Sequence, residues 1–316
     1  MTTSPSLSDD ASAPVALADI GAHIKQYAVA DDRRATWHLV QTILVLLLAM
    51  ALYAVDQVVL AVILDAGIIV RGFIIYHDGI HLSFYRRDEA NERLVTILQA
   101  WIITPVDLWR RNHLYHHKWF GNLAVFDEAD TVFFTRQKYE SYPLYKRVLA
   151  RVLRDPVVFF LLAPIAQWWL QYPIQYRNPI LWAGHAVHFL IAWQLSWWHL
   201  FAVYLGAIVG LILFHLQHAV NRGYREPKEE WNPTEASLLG STYLPIPRPF
   251  TWFTFGIQFH HIHHLNTKVP SYQLARCHHE AAPEMWRAVT TPSLWRSLAS
   301  IRNVMWDEES KQLVPF

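Results

Sequence analysis

Two apolar stretches follow one another early in the chain and predict a pair of membrane-spanning helices. Residues 39–55 are almost wholly apolar, and residues 57–76 contain only Gln57, Asp65 and Arg71 as strongly polar positions. Each stretch approaches the roughly 20 residues that a helix needs to cross a bilayer. Because little more than Asp56 separates them, we expect a transmembrane hairpin.

A second apolar pair covers residues 180–197 and 198–215. No lysine or arginine lies between Asn178 and Asn221, whereas basic residues are frequent in segment 86–177 and after residue 221. Loops rich in lysine and arginine stay in the cytoplasm. Four spans place both termini and both long polar segments on the cytoplasmic side, and five spans do not.

The remaining segments predict the rest of an all-α integral membrane protein. An apolar stripe at Leu149, Val152 and Leu153 faces away from neighbouring arginines and is followed by apolar residues 157–164, which is typical of interfacial helices. Segments 77–177 and 216–316 are expected to form a cytosolic helical cap. We expect a polar, partly disordered cytosolic tail at 1–34 and one membrane domain at 35–316.

Composition agrees with a membrane protein and excludes several function classes. The chain is 53% hydrophobic and 17% charged, below the roughly one quarter charged residues of soluble domains. A net charge of +1 gives no reason to expect nucleic acid as a partner. The single cysteine, Cys277, excludes a disulfide framework, a Cys-ligated iron–sulfur cluster and a Cys₄ zinc site.

Histidine is the unusual residue, with 18 copies in the chain and most of them in four clusters. One cluster follows the second span as HxxxH, two have the spacing HxxHH, and the last ends the fourth span. Residues three or four apart share a helix face, and all four clusters fall on the predicted cytosolic side. The residues expected to bind metal are His77, His81, His113, His116, His117, His218, His260, His263 and His264.

Nine imidazoles exceed what one ion can use, so two or more metal ions are implied. Imidazole is a good ligand for iron, zinc and copper, but a catalytic zinc usually takes only three protein ligands. A second set of residues is expected either to hydrogen-bond to the ligands or to serve as helix caps, packing residues or solvated charges. This set comprises Asp78, Asp127, Glu128, His215, His261 and Asn221.

Five further histidines are expected to have structural roles, and two more lie within the third span. His185 and His188 are interpreted as helix-packing residues or as the lining of a substrate tunnel. The remainder are expected at the surface or at interfaces: His23, His38, His199, His278 and His279.

The three boxes resemble those of the integral-membrane fatty acid desaturase superfamily, most closely its acyl-lipid Δ12/ω6 branch. The resemblance extends through the Leu-Gln-His motif that ends at His218, the Leu-Pro-Ile-Pro-Arg motif at 244–248 and the segment 268–280. It covers roughly residues 40–290. It implies a mushroom-like helical fold with four spans and a di-iron centre held by the nine histidines.

The resemblance also implies a reaction, namely O₂-dependent removal of two hydrogens from a methylene pair of an acyl chain. Such C–H bonds have no acidic proton, so side-chain acid–base chemistry alone cannot break them, whereas iron can supply the oxidising chemistry. The substrate would be an acyl-lipid, an acyl-CoA or an acyl-carrier conjugate. A hydroxylase on an alkyl, lipid or terpenoid substrate remains an alternative, since the first box reads His-Asp-Gly-Ile-His without the usual cysteine. A histidine-rich metal-binding or transport protein is a second alternative.

Each turnover of such an enzyme needs two electrons from outside the chain. The sequence contains neither a His-Pro-Gly-Gly cytochrome b5 motif nor a CxxC element. We therefore expect a separate donor of the ferredoxin, rubredoxin or cytochrome b5 type, which would dock near Arg110, Arg111 and Lys118.

Overall fold

The computed structural model of the protein describes residues 17–129, 133–172, 174, 177–220 and 223–316. Helices dominate this part of the chain, together with 3₁₀ turns at Leu123–Val125, Pro283–Trp286 and Ser300–Arg302 and a π-helical segment at Ile165–Gln171. The α-helices are α1 Leu17–Lys25, α2 Asp32–Ala54, α3 Val58–Ile80, α4 Asp88–Trp101, α5 Val106–Trp119, α6 Phe126–Ala129, α7 Arg136–Ser141, α8 Leu144–Arg154, α9 Pro156–Pro164, α10 Pro179–Gln194, α11 Trp198–His218, α12 Pro233–Gly240, α13 Arg248–Thr254, α14 His260–Leu265, α15 Ser271–Glu280 and α16 Leu294–Ala299.

A small sheet departs from the all-α expectation. Strands β1 Phe134–Thr135, β2 Met305–Asp307 and β3 Gln312–Val314 pair in that order, β1 parallel to β2 and β2 antiparallel to β3. Trp306 at its centre is 1% exposed. The sheet joins the C-terminal end of the chain to the segment before α7, and runs of two or three residues leave no periodicity for a sequence to reveal.

Three helices in the described part of the chain are long and apolar enough to cross a membrane, namely α2, α3 and α11. α2 begins at Asp32, before the apolar stretch, because the Asp31 carboxylate accepts hydrogen bonds from the backbone N–H groups of Arg33 and Arg34. The third predicted span corresponds to α10, which has 16 residues and is therefore only about 24 Å long. It ends at Gln194, three residues before the predicted boundary.

The predicted amphipathic segment forms α8, and its apolar stripe is uncovered. Leu149, Val152 and Leu153 are about half exposed, at 53%, 52% and 49%. Asp155 caps the following apolar helix α9 by accepting hydrogen bonds from Val157 and Val158. An exposed apolar stripe next to an apolar helix is what an interfacial location requires.

The N-terminal helix α1 lies within the predicted tail and packs onto the rest of the molecule. Ile20 and Ile24 are buried in the same cluster as Cys277, and the Tyr27 hydroxyl donates a 2.6 Å hydrogen bond to Glu280. Residues 1–16, the first part of the tail expected to be partly disordered, lie outside the described residues.

A buried polar network joins the apolar helices at the end of α11 distant from His218. The Asp65 carboxylate accepts a hydrogen bond from the Tyr53 hydroxyl (3.2 Å) and lies 2.7 Å from His199 Nδ1. His199 Nε2 lies 2.9 Å from His188 Nδ1, and His188 Nε2 lies 2.8 Å from the Trp101 carbonyl oxygen. The expectation of a surface or interface position for His199 is therefore wrong, because this residue is 0% exposed.

The partners fix the protons of this network. Because the Trp101 carbonyl only accepts, His188 donates from Nε2, and its Nδ1 accepts from His199 Nε2. One proton then remains between His199 Nδ1 and Asp65 Oδ2, and the network is neutral overall whichever atom carries it. A neutral, hydrogen-bonded arrangement is the form in which ionisable groups are tolerated among apolar helices. His188 thus has the helix-packing role expected of it.

Close packing of α10 on α4 depends on Gly184. A Cβ atom at this position would lie 2.1 Å from the Ala100 carbonyl oxygen, so any side chain pushes the two helices apart. We expect Gly184→Ala to lower stability by about 1–3 kcal/mol, measured as the thermal unfolding midpoint in detergent micelles. Gly210→Ala is the matched control, since a Cβ there meets nothing within 4 Å; equal losses in both variants would contradict the prediction.

Candidate metal centre

Four helices bring the histidine clusters to one place. α3 continues beyond its apolar stretch and carries His77 in its last turn, with His81 as its C-terminal capping residue. The second box occupies the last two turns of α5, α11 ends at His218, and the third box forms the short helix α14. All nine predicted ligands converge, and eight of them are buried; His117 is half-buried.

Five histidines form the first group. Their ligand nitrogens lie within 4.8 Å of one another, and the members are His77, His81, His113, His117 and His263. At its centre, His117 Nε2 lies 3.1 Å from His113 Nε2 and 3.0 Å from His263 Nε2. One ring nitrogen carries either one proton or one lone pair, so it cannot hydrogen-bond well to both neighbours. A cation between the three nitrogens satisfies all of them.

The second group repeats this geometry. His116, His218 and His264 have ligand nitrogens within 4.8 Å of one another. The fourth histidine, His260, places its Nε2 3.1 Å from the Nε2 atoms of both His218 and His264. His260 Nε2 therefore has two imidazole nitrogens close to it and cannot hydrogen-bond well to both. A second cation between the three nitrogens would satisfy all of them.

Each His-His doublet contributes one ligand to each group. His117 and His263 belong to the first group, and their neighbours His116 and His264 belong to the second. Consecutive helical residues point about 100° apart, so a doublet can serve two adjacent ions. The groups are close, because the rings of His117 and His264 have centroids 4.4 Å apart. The HxxHH spacing therefore encodes a pair of sites.

Burial keeps these imidazoles available as ligands. Desolvation lowers the pKa of His81, His113 and His263 well below the usual range, with neighbouring imidazoles as a second cause. Neutral imidazole is the metal-binding form. Both ring nitrogens of His81 are buried without a hydrogen-bond partner, a costly state that a bound ion removes. The residues therefore fit a pair of metal ions.

Polar groups lie behind two of the ligand rings. Asp78 Oδ1 lies 3.5 Å from His77 Nδ1, and the same carboxylate accepts 2.7 Å hydrogen bonds from the Ser271 backbone N–H and hydroxyl. His116 Nδ1 lies 2.7 Å from the Ala129 carbonyl oxygen. That carbonyl only accepts, so Nδ1 carries the proton and Nε2 keeps the lone pair that can bind metal.

The Asp78–Ser271 contact gives a testable role to a carboxylate inside the first box. We expect Asp78→Asn to lower metal affinity by about 10–100-fold, the usual effect of removing a partner of a ligand, and Ser271→Ala to act in the same direction with a smaller loss. Metal content after dialysis against graded chelator measures this effect. Wild-type retention by Asp78→Asn would contradict it. Asp19, an exposed residue of α1, is the control site for an Asp→Asn change.

Two of the other residues proposed as ligand partners, His261 and His215, lie away from both groups. His261 Nε2 lies 3.2 Å from His278 Nδ1 on α15, which directs this ring away from both groups. His215 packs between Phe133 and Phe160, with centroid distances of 5.4 and 5.6 Å. The side chains of Asp127 and Glu128, and all of Asn221, lie outside the described residues.

Ser271 is a contributor that the sequence reading missed. One sequence feature drew attention to it: Ser271 begins α15 directly after Pro270, in the segment that resembles the desaturases. A serine at a helix start, however, is ordinarily read as a cap, and only the fold brings it to Asp78, 193 residues away.

Comparisons with known proteins agree with this geometry. The family model described as "Fatty acid desaturase" matches residues 57–292. A Bacillus subtilis protein named "Fatty acid desaturase" is 30% identical, covering 80% of this chain and 76% of its own length. The chloroplastic omega-6 fatty acid desaturase of Arabidopsis thaliana is 25% identical, covering 77% and 58%. The sn-1 oleoyl-lipid 12-desaturase of Synechocystis sp. is 26% identical, covering 68% and 65%. The chain thus spans less than two thirds of the last two relatives.

Proposed function

Because the chain belongs to the fatty acid desaturase family, whose members are oxidoreductases, we propose that it introduces a carbon–carbon double bond into an acyl chain in an O₂-dependent reaction. The observation that carries this proposal is the repeated convergence of three Nε2 atoms, around His117 and around His260. Two such sites side by side suit a pair of iron ions, since iron accepts imidazole ligands.

The chain's own residues hold, orient and shield the proposed pair of irons. When bound, the irons would supply the oxidising chemistry that removes hydrogen from unactivated methylene groups. Burial of the histidines keeps bulk water away from the site, the Ala129 carbonyl orients the His116 ring, and the Asp78 carboxylate lies beside His77. The remaining task of the protein is to place one methylene pair next to the ions.

We further propose that α10 is a fourth span beside α2, α3 and α11, with both termini and the metal centre in the cytoplasm. Where α10 ends and α11 begins, three tryptophans are exposed, as expected for an aromatic belt at a membrane surface: Trp193, Trp197 and Trp198, at 73%, 58% and 52%. The metal-binding histidines lie away from these tryptophans, at the C-terminal ends of α3 and α11. A 24 Å helix is shorter than the hydrocarbon core of about 30 Å, a mismatch that local thinning of the bilayer accommodates.

The substrate proposed is an acyl chain esterified to a membrane lipid. One relative is named for an oleoyl-lipid substrate, and three helices are long and apolar enough to cross a bilayer. Acyl-CoA and acyl-carrier conjugates are the other candidate forms. All three classes present the same unactivated methylene chain to the site.

Expression in a host that lacks the product, followed by mass spectrometry of its lipids under O₂, tests the function. A product two hydrogens lighter than its precursor, with no added oxygen, supports desaturation. A product one oxygen heavier supports the hydroxylase alternative, and lipids indistinguishable from those of a His263→Ala control contradict both. Metal analysis addresses the transport alternative, because about two tightly bound irons per chain indicate an oxidase site whereas zinc or loosely held metal does not.

Electrons would come from a separate ferredoxin, rubredoxin or cytochrome b5-type donor, which we propose docks on α5. This helix carries three of the ligands and has Arg111 and Lys118 on its exposed surface, while Arg110 donates a 2.8 Å hydrogen bond to Glu92. A donor bound to this surface would therefore contact α5 within a few residues of His113 and His117, which belong to the first group.

Charge reversal tests this surface. We expect the double variant Arg111→Glu, Lys118→Glu to slow turnover with the natural donor by about 10-fold or more, because rim charges set association rates, while turnover with a chemical reductant is unchanged. The same reversals at Arg33 and Arg296, both exposed and away from α5, are the control. Equal losses with both reductants would place the defect in the enzyme and not in docking.

A further inference from the structure

Helix α13 packs against the middle of α3, although the sequence assigns it to the cytosolic cap. The Phe253 ring covers Gly67, where a Cβ atom would lie 2.3 Å from the ring. Gly67 is ten residues before His77, or about 15 Å along the helix. Since α3 is a candidate span from Val58 to Ile80, this contact lies near its midpoint.

Arg71 holds the same segment one turn closer to the metal centre. This side chain is 1% exposed and lies between the Trp252 and Phe255 rings, 4.1 Å from each centroid. Its guanidinium donates to the Trp252 carbonyl oxygen and to Thr42 Oγ1, and its Nη2 lies 3.2 Å from His38 Nδ1. These contacts join Arg71 on α3 to the backbone of α13 and to two side chains of α2, and they fix the segment at the depth of these apolar helices.

The backbone around α13 is suited to a medium without water. Pro245, Pro247 and Pro249 have no N–H group to satisfy, and the N–H groups of Phe250 and Phe255 bond to the carbonyls of Pro247 and Thr251. Non-helical backbone at membrane depth requires such internal satisfaction.

The exposed face of α13 begins with Arg248, and beyond it Pro249 and Phe250 continue the apolar surface of the neighbouring spans. Phe250 is 53% exposed, and on α2 the exposed side chains include Ile43, Leu44 and Leu47, at 47%, 56% and 58%. A large aromatic side chain left open beside a lipid-facing helix is matched by hydrocarbon and not by water.

We propose that residues 247–255 form a re-entrant segment that enters the cytosolic half of the bilayer and contacts lipid acyl chains through Phe250. The segment returns through Phe255 and Gly256, whose φ angles are 51° and 93°, and leads into α14. Gly256 lies against Ser271, because a Cβ there would be 2.2 Å from the Ser271 carbonyl oxygen. The turn at Phe255 and Gly256 therefore lies between the proposed lipid contact and Ser271, which hydrogen-bonds to Asp78. The inference rests on the proposal that α2 and α3 are spans.

Depth-dependent fluorescence quenching tests the proposal in the full-length protein in phosphatidylcholine vesicles. In a Cys277→Ala background, Phe250→Cys or Thr251→Cys is labelled with an environment-sensitive dye. Quenching is then compared for lipids carrying a spin label on the acyl chain and for aqueous iodide. Leu47→Cys serves as the lipid reference, and Arg276→Cys, in an exposed position on α15, serves as the aqueous reference.

We expect the dye at position 250 to be quenched by spin-labelled lipid to within about 2-fold of the reference at position 47, and to be protected from iodide. Quenching by iodide equal to that at position 276 would overturn the inference. If position 47 is lipid-quenched and position 250 is not, only the re-entrant segment is wrong; if both are quenched by iodide, the proposed spans are wrong as well. Position 251 provides the same comparison if Phe250→Cys fails to fold.

Discussion

Alanine at His117 or at His260 is expected to abolish product formation, lowering turnover by more than about 100-fold, and to reduce bound iron from about two ions to about one per chain. The reason is the position of each residue at the point where three Nε2 atoms meet. His117 lies 3.1 Å and 3.0 Å from two neighbours in the first group, and His260 lies 3.1 Å from two neighbours in the second. Loss of either ring opens one site and leaves the other with its ligands intact.

The measurement combines iron analysis of purified protein with lipid profiling of the expressing cells. His261→Gln is the matched control, since it lies on the same short helix but faces His278; its iron content should equal that of the wild type. If His117→Ala and His260→Ala each lost both ions, the two groups would act as one cluster. If either retained both ions, its place at the centre of a site would be wrong.

The second large effect is expected at Asp65. Replacing this residue with leucine leaves His199 and Tyr53 buried without their shared partner, and we expect a loss of about 3–5 kcal/mol, the usual consequence of removing one member of a buried pair. Asn is expected to cost only about 1 kcal/mol. Its amide N–H groups can donate hydrogen bonds to His199 Nδ1 and to the Tyr53 hydroxyl oxygen, so the network stays neutral and connected.

Thermal unfolding in detergent micelles measures both variants, with a thiol-reactive dye reporting exposure of the buried Cys277. Asp56→Asn, in the exposed turn between α2 and α3, is the control and should unfold as the wild type does. Equal losses for Asp65→Asn and Asp65→Leu would show that an amide cannot take over the hydrogen bonds of the carboxylate, which contradicts the expected retention of the network.

Stability and metal binding should separate in these variants. Asp65 is twelve residues before His77 on α3, or about 18 Å along the helix, so Asp65→Leu protein that remains folded at low temperature should retain its iron. The histidine variants are expected to do the reverse, losing iron with a smaller change in unfolding temperature.

The sequence alone identified the candidate metal ligands of this protein. Ligand identity depends on residue type and on spacings of three and four positions, which are local properties of a helix. All nine histidines named from those spacings meet in the structure, and His261 is directed away as its position in HxxHH predicted. Hydropathy likewise indicated α2, α3 and α11, because length and apolarity are sufficient to recognise a candidate span.

Only the tertiary structure decided how those residues are shared and supported. The division of the doublets between two groups depends on how α5 and α14 face each other. The partners of Asp78 and Asp65 come from residues 193 and 134 positions away. The packing of α13 against the middle of α3 follows from the missing side chain at Gly67. Contacts between distant segments leave no periodicity in a single chain, so composition and spacing could not show that His199 is buried or that part of the cap lies against a span.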